Sequence, residues 1–146
     1  MKIDAKVQSI SKLKDYFFLV PDYQREYVWK PDDEVEQFLI DIENEYSPDA
    51  KEQRNYFLGS IIIVNNDRCF DVVDGQQRLT TIMLSLCVFR DLLKKETLNS
   101  AQKNYLQIIE NLLYNFDIES GETRVRLELQ YEESHDCLLY TSDAAD

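Results

Sequence analysis

The chain reads as an α+β domain, a small mixed β-sheet flanked by helices. Three observations predict it. Short β-branched and aromatic runs fall near residues 17–20, 56–64, 68–73 and 123–130. Apolar residues recur at spacings of three and four after Pro31 and again after Gln76. Their order along the chain is strand, loop, helix, two-stranded hairpin, long helix, helix, strand, which suits helices packed on one small sheet. At 146 residues, 44% hydrophobic and 12% aromatic, the chain is one domain long and can close a sizeable core.

Each element has a local reason. Val7, Ile10 and Leu13 are spaced as in a short helix. Phe17 to Val20 is a buried strand, stopped by Pro21, which has no N–H to give a ladder. Residues 23–29 show no period and read as an extended loop. Pro31 suits the first helical position, and Asp32, Asp33 and Glu34 suit the positive end of the helix. Val35, Phe38, Leu39, Ile42 and Tyr46 give that helix one apolar face, and Ser47-Pro48-Asp49 ends it. Residues 56–64 form a strand in which Gly59 marks a bulge or a close backbone approach. Asn65-Asn66-Asp67 turns the chain into a hairpin partner over residues 68–73. A long helix opens near Gln76, with Leu79, Ile82, Met83, Leu86, Phe89, Arg90 and Leu93 on its inner stripe and Arg90 its polar exception. Asn99-Ser100 caps a further helix carrying Tyr105, Ile108, Ile109, Leu112 and Leu113. Val125, Leu127 and Leu129 alternate with Arg124, Arg126 and Glu128, a strand with one wet face. The domain is placed at residues 1–133. Residues 137–146 continue no pattern and read as a non-native or disordered tail.

Composition excludes several functions. The net charge of −12 disfavours DNA binding by the chain as a whole, because that affinity rests on neutralising phosphates. Cys69, Cys87 and Cys137 are widely spaced and His135 is the only histidine, so a zinc site is not expected. No stretch is apolar enough to span a membrane, and no signal-peptide pattern opens the chain; a reduced, cytoplasmic protein is the expectation.

The chemistry concentrates in Asp74-Gly75-Gln76-Gln77-Arg78-Leu79-Thr80-Thr81. A strand, a glycine turn and a helix start form an anion-binding device, because the free N–H groups of the first turn and the positive helix end face the turn. Arg78 adds a cation with a planar fork of donors. Gly75 permits a positive φ and a close ligand. Asp74 has two readings, capping the helix or holding a divalent metal and activating water. Gln76 and Gln77 suit the orienting of a water or a phosphate oxygen, or are ordinary helix-start polarity. Thr80 and Thr81 either contact phosphate or bond to the preceding turn. No GxxxxGK[ST] loop occurs, so any nucleotide hydrolysis uses other architecture.

Two further motifs accompany the octet: Tyr23-Gln24-Arg25-Glu26-Tyr27-Val28-Trp29 and Phe57-Leu58-Gly59-Ser60-Ile61. The three together resemble the N-terminal domain of the GmrSD-type restriction endonucleases, of the ParB/sulfiredoxin-like superfamily. They cover roughly the first two-thirds of the chain. The resemblance implies a module of anti-phage defence that binds a nucleoside triphosphate with Mg2+ and hydrolyses it. Asp74, Gln76, Gln77 and Arg78 are then the catalytic candidates, with Asp74 the candidate metal ligand. Gln24, Arg25, Gly59, Ser60, Gly75, Arg78, Thr80 and Thr81 are the phosphate-binding candidates, and Trp29 is assigned to packing. The family pattern often has proline where Glu26 stands, which sets a negative charge beside Arg25. Relatives usually continue through a helical region into an HNH-type nuclease domain. Such a domain, or a partner subunit, is the implied partner and the only route to DNA; His135 alone cannot furnish the nuclease histidines, so no cutting is expected from this chain. A non-hydrolysing switch that controls homo-oligomerisation or docking is the first alternative, and recognition of DNA or a modified base the second.

Overall fold

The computed structural model describes residues 2–46 and 55–130. The fold is a small α+β one, as expected. Strand β1 (Phe18–Val20) runs parallel to β3 (Cys69–Asp74) on one side and to β6 (Leu127–Leu129) on the other, and β2 (Ile62–Asn66) pairs antiparallel with β3 at an edge. Phe18 lies opposite Phe70 in one ladder and Leu127 in the other. Alternation then directs Phe18, Val20, Val72, Leu127 and Leu129 to one face, where Leu79, Met83 and Cys87 of helix α2 (Gln76–Lys94) and Leu113 of α3 (Ser100–Leu113) close the core. Each such side chain removed from water contributes about 1.5–3 kcal/mol before entropy is counted.

The hairpin turn falls at Asp67, whose φ of 50° is the left-handed conformation that Asn and Asp tolerate. Asn99 caps α3 in a reciprocal box: its side chain accepts from the Gln102 N–H at 2.9 Å, and the Gln102 side chain accepts from the Asn99 N–H at 3.0 Å. Pro31 opens a π-helical turn (Pro31–Val35) that runs into α1 (Glu36–Glu45). The Glu34 carboxylate accepts the Lys30 N–H at 2.9 Å, and this bond holds its pKa below the usual carboxylate value.

Five expectations are corrected. The first helical segment is a 3-10 turn, Ile10–Asp15, and Val7 stands outside it in solvent. Residues 56–61 join no ladder, and residues 59–61 lie against the α2 start instead. The predicted strand over residues 123–130 is two strands. Strand β5 (Glu122–Val125) pairs antiparallel with the unforeseen β4 (Tyr114–Asp117), and β6 joins the main sheet. Between them Arg126 is buried, not wet: its Nη1 and Nη2 donate to the carbonyls of Tyr16 (2.8 Å) and Asn111 (2.7 Å). Finally, α1 buries none of its residues, and Phe89, Tyr105 and Ile108 are exposed, so the helical stripes pack over narrower arcs than their periods suggest. Ser47-Pro48-Asp49, His135, Cys137 and the tail at residues 137–146 lie outside the described residues.

Candidate functional site

Strand β3 delivers Asp74 to the C-terminal end of the sheet, where a turn of one residue starts α2. That residue is Gly75, with φ 82°, and it occupies the N-cap position. No side chain caps the helix. The capping reading of Asp74 is thereby overturned: the left-handed glycine has taken the cap, and Asp74 is left exposed as the last residue of β3. The first-turn N–H groups of α2 therefore face outward without a side-chain acceptor, which is the arrangement that attracts an anion.

A cleft of about 370 Å³ lies over this helix start, lined by Arg25, Trp29, Ser60, Asp74, Gly75, Gln76, Gln77 and Arg78. All three sequence motifs contribute to it. Two arginines face one carboxylate, so the lining is locally positive on a strongly acidic protein. The segment at residues 59–61 is keyed into the turn by its backbone. A Cβ on Gly75 would stand 2.7 Å from the Ser60 carbonyl oxygen and 3.2 Å from the Ile61 Cα, so only glycine lets the two segments meet. Arg78 reaches across and donates from Nη1 to the Ser60 carbonyl at 3.1 Å.

The loop of the Tyr23–Trp29 motif is pinned to α2 by two locks. Gln77 is buried, and its amide Nε2 donates to the Glu26 carbonyl at 3.0 Å while its Oε1 accepts from the Val28 N–H at 2.8 Å and the Trp29 N–H at 3.3 Å. Both ends of that amide are engaged, so Gln77 holds the loop and has little left for a water. Thr81 shares a 2.8 Å hydrogen bond with the Tyr27 hydroxyl and donates to the Gln77 carbonyl at 2.8 Å. Thr80 and Thr81 are both buried and do not line the cleft; the bond to the preceding turn is the use that Thr81 makes of its hydroxyl. Gln24 sits in the turn after Pro21, and Gly59 lies behind Arg78; neither lines the cleft. Trp29 packs on Phe38 of the helix that follows, at 5.8 Å between ring centroids, and also borders the cleft. Glu26 makes none of the ion pairs found among the described residues.

The donor set fits a magnesium ion of one kind only. No group of three His, Cys, Asp or Glu residues gathers among the described residues. Magnesium commonly takes one or two carboxylates and fills its shell with water and substrate phosphates. Asp74, exposed on the cleft, fits an ion that arrives with phosphates, not one caged by protein alone.

A larger groove of about 640 Å³ lies at the other end of β3, between Phe17, Arg68 and the β4–β5 hairpin. Its Arg68 and Arg124 are matched by Asp117 and Glu119, so it has no net charge, and it contains no residue of the three motifs. The smaller cleft is where the chemistry collects. Sequence reading missed the two locks, since nothing local marks a glutamine amide that closes on residues some fifty positions away.

The GmrSD restriction endonuclease N-terminal domain matches this chain over residues 7–144. No curated protein matches it. No helix among the described residues is long and apolar enough to cross a membrane.

Proposed function

This chain belongs to the family of the GmrSD restriction endonuclease N-terminal domain, a restriction-defence module, and from that premise we propose that its cleft binds a nucleoside triphosphate with Mg2+ and hydrolyses it. The nucleotide state then licenses a nuclease domain or partner subunit to attack DNA. The observation that supports this most is the uncapped α2 start, flanked by Arg78 of its own first turn and by Arg25 from the facing loop. Backbone N–H groups and the helix dipole take the phosphate charge, and the arginines clamp it. Asp74 would hold a magnesium ion that arrives with the phosphates, and the ion would supply charge neutralisation there. Gln76 and Asp74 remain to orient the attacking water, since the Gln77 amide is engaged with the loop. Thr81 acts behind the cleft, holding Tyr27 of the facing loop.

That engagement of Gln77 also favours a second reading, binding without turnover. A site with fewer groups free to position water suits a switch that controls docking or homo-oligomerisation. The two separate in one experiment: the chain with magnesium and each nucleoside triphosphate, measured for binding and phosphate release beside Arg78→Ala. Turnover that the variant loses supports hydrolysis. Binding without turnover supports the switch. If the folded chain binds no nucleotide, the phosphate reading fails and DNA recognition becomes the next test.

A further inference from the structure

Gly59 has φ 120°, a conformation that L side chains rarely adopt. Strand pairing does not impose it, because residues 56–61 join no ladder. What lies against Gly59 is the Arg78 guanidinium. A Cβ built on Gly59 would overlap its Cζ outright and stand 2.6 Å from both Nε and Nη1. The next residue, Ser60, presents the carbonyl that Nη1 donates to, at 3.1 Å. No other Arg78 side-chain nitrogen has a protein acceptor among the described residues.

We infer that Gly59 is a positioning residue for Arg78: its missing Cβ opens a backbone cradle that holds the guanidinium flat, and the Ser60 carbonyl fixes its rotation toward the cleft. An arginine on a helix start has four rotatable bonds whose freedom it loses when it grips a ligand. Held in advance on Gly59, it keeps its free N–H groups at the cleft wall that it shares with Arg25 and Gly75. The cradle also explains the close seat of Gly75 against Ser60: one backbone stretch positions both the helix start and the arginine. The effect on binding rests on the phosphate reading of the cleft; the packing of Gly59 on Arg78 does not.

The test is a double-mutant cycle on the full chain with Gly59→Ala, Arg78→Ala and both, read by thermal melting and by binding of ATP with magnesium. The strain of φ 120° acts in either background, whereas the overlap with the guanidinium exists only while Arg78 is present. Gly59→Ala is therefore expected to lower the melting temperature more in the Arg78 background than in the Arg78→Ala background. Binding should weaken about tenfold in Gly59→Ala, through loss of one aimed charge-assisted contact. The double variant should bind no more weakly than Arg78→Ala. Equal melting shifts in both backgrounds overturn the cradle, as does wild-type affinity in Gly59→Ala when Arg78→Ala has lost it. A wild-type chain that binds no ATP removes the phosphate reading, and the melting cycle still decides the cradle.

Discussion

Arg25 and Arg78 supply the positive charge of the cleft, and they are held in different ways. Arg78 lies in a backbone cradle, whereas Arg25 is exposed on a loop whose position depends on Gln77 and Thr81. Removing Arg25 should therefore weaken nucleotide affinity and leave stability within about 0.5 kcal/mol of wild type, by titration and urea melting of Arg25→Ala. Gln77 should behave in the opposite proportion. Gln77→Ala strands the Val28 N–H and the Glu26 carbonyl, at a cost of about 1–3 kcal/mol in the same melts. Gln77→Glu keeps an acceptor for the Val28 N–H but sets a buried carboxylate oxygen against the Glu26 carbonyl, so it should destabilise as well. If both variants melted like wild type and only turnover fell, Gln77 would be acting on the reaction and not on the loop. The proposed phosphate site was legible because it is contiguous: strand, glycine, helix start and arginine fall within a few residues of each other. Its supports were not, because a lock between Gln77 and residues 26, 28 and 29 is set by the fold and leaves no local spacing to read.

Two buried arginines show what periodicity does and does not say about elements. Arg90, on the inner stripe of α2, is fully buried and bonds through Nε to Asp91 at 3.0 Å, while neither Nη finds a partner. Arg126 is buried between β5 and β6, and both its Nη atoms bridge carbonyls from the first residues before β1 and from α3. Burial first, and the neighbouring Arg124 charge second, lower its pKa. Replacing Arg90, whose buried Nη atoms find no partner and whose one ion pair is to the partly exposed Asp91, by an apolar group of similar length removes a desolvation cost, whereas removing Arg126 leaves the Tyr16 and Asn111 carbonyls unpaired. Arg126→Met should accordingly lose about 2 kcal/mol or more in denaturant melts, and Arg90→Met should be neutral or stabilising. A loss for Arg90→Met as large as for Arg126→Met would show that Arg90 carries bonds of equal worth. The alternation Arg124, Arg126, Glu128 looked like one wet face because a period of two cannot distinguish a continuous strand from two strands that meet at a buried bridge. The hairpin turn and the capped start of α3 carried their own punctuation, in Asp67 and Asn99, and both appear where the sequence placed them, although the strand before the turn starts later than expected. Asn99→Ala should cost about 1 kcal/mol.

The whole molecule opposes its own site. A chain with net charge −12 repels itself and repels polyanions, yet one end of its sheet gathers two arginines and a bare helix start. Salt should therefore act in two directions. Screening over a Debye length of about 8–10 Å relieves the repulsion among exposed carboxylates, so the melting temperature should rise with sodium chloride. The same screening weakens the pull of Arg25 and Arg78 on a phosphate, so nucleotide affinity should fall over the same range. The net negative charge should also keep duplex DNA away from the cleft, because affinity for DNA rests on neutralising its phosphates. The measurement is one salt series with two readouts, melting temperature and ATP affinity, and a DNA duplex as a third ligand. Opposed slopes with no DNA binding fit a small-anion site on an acidic module that reaches DNA through another part. DNA binding with a steep negative salt slope would move the function from the cleft to a nucleic-acid surface, and the role of Arg25 and Arg78 would have to be sought there.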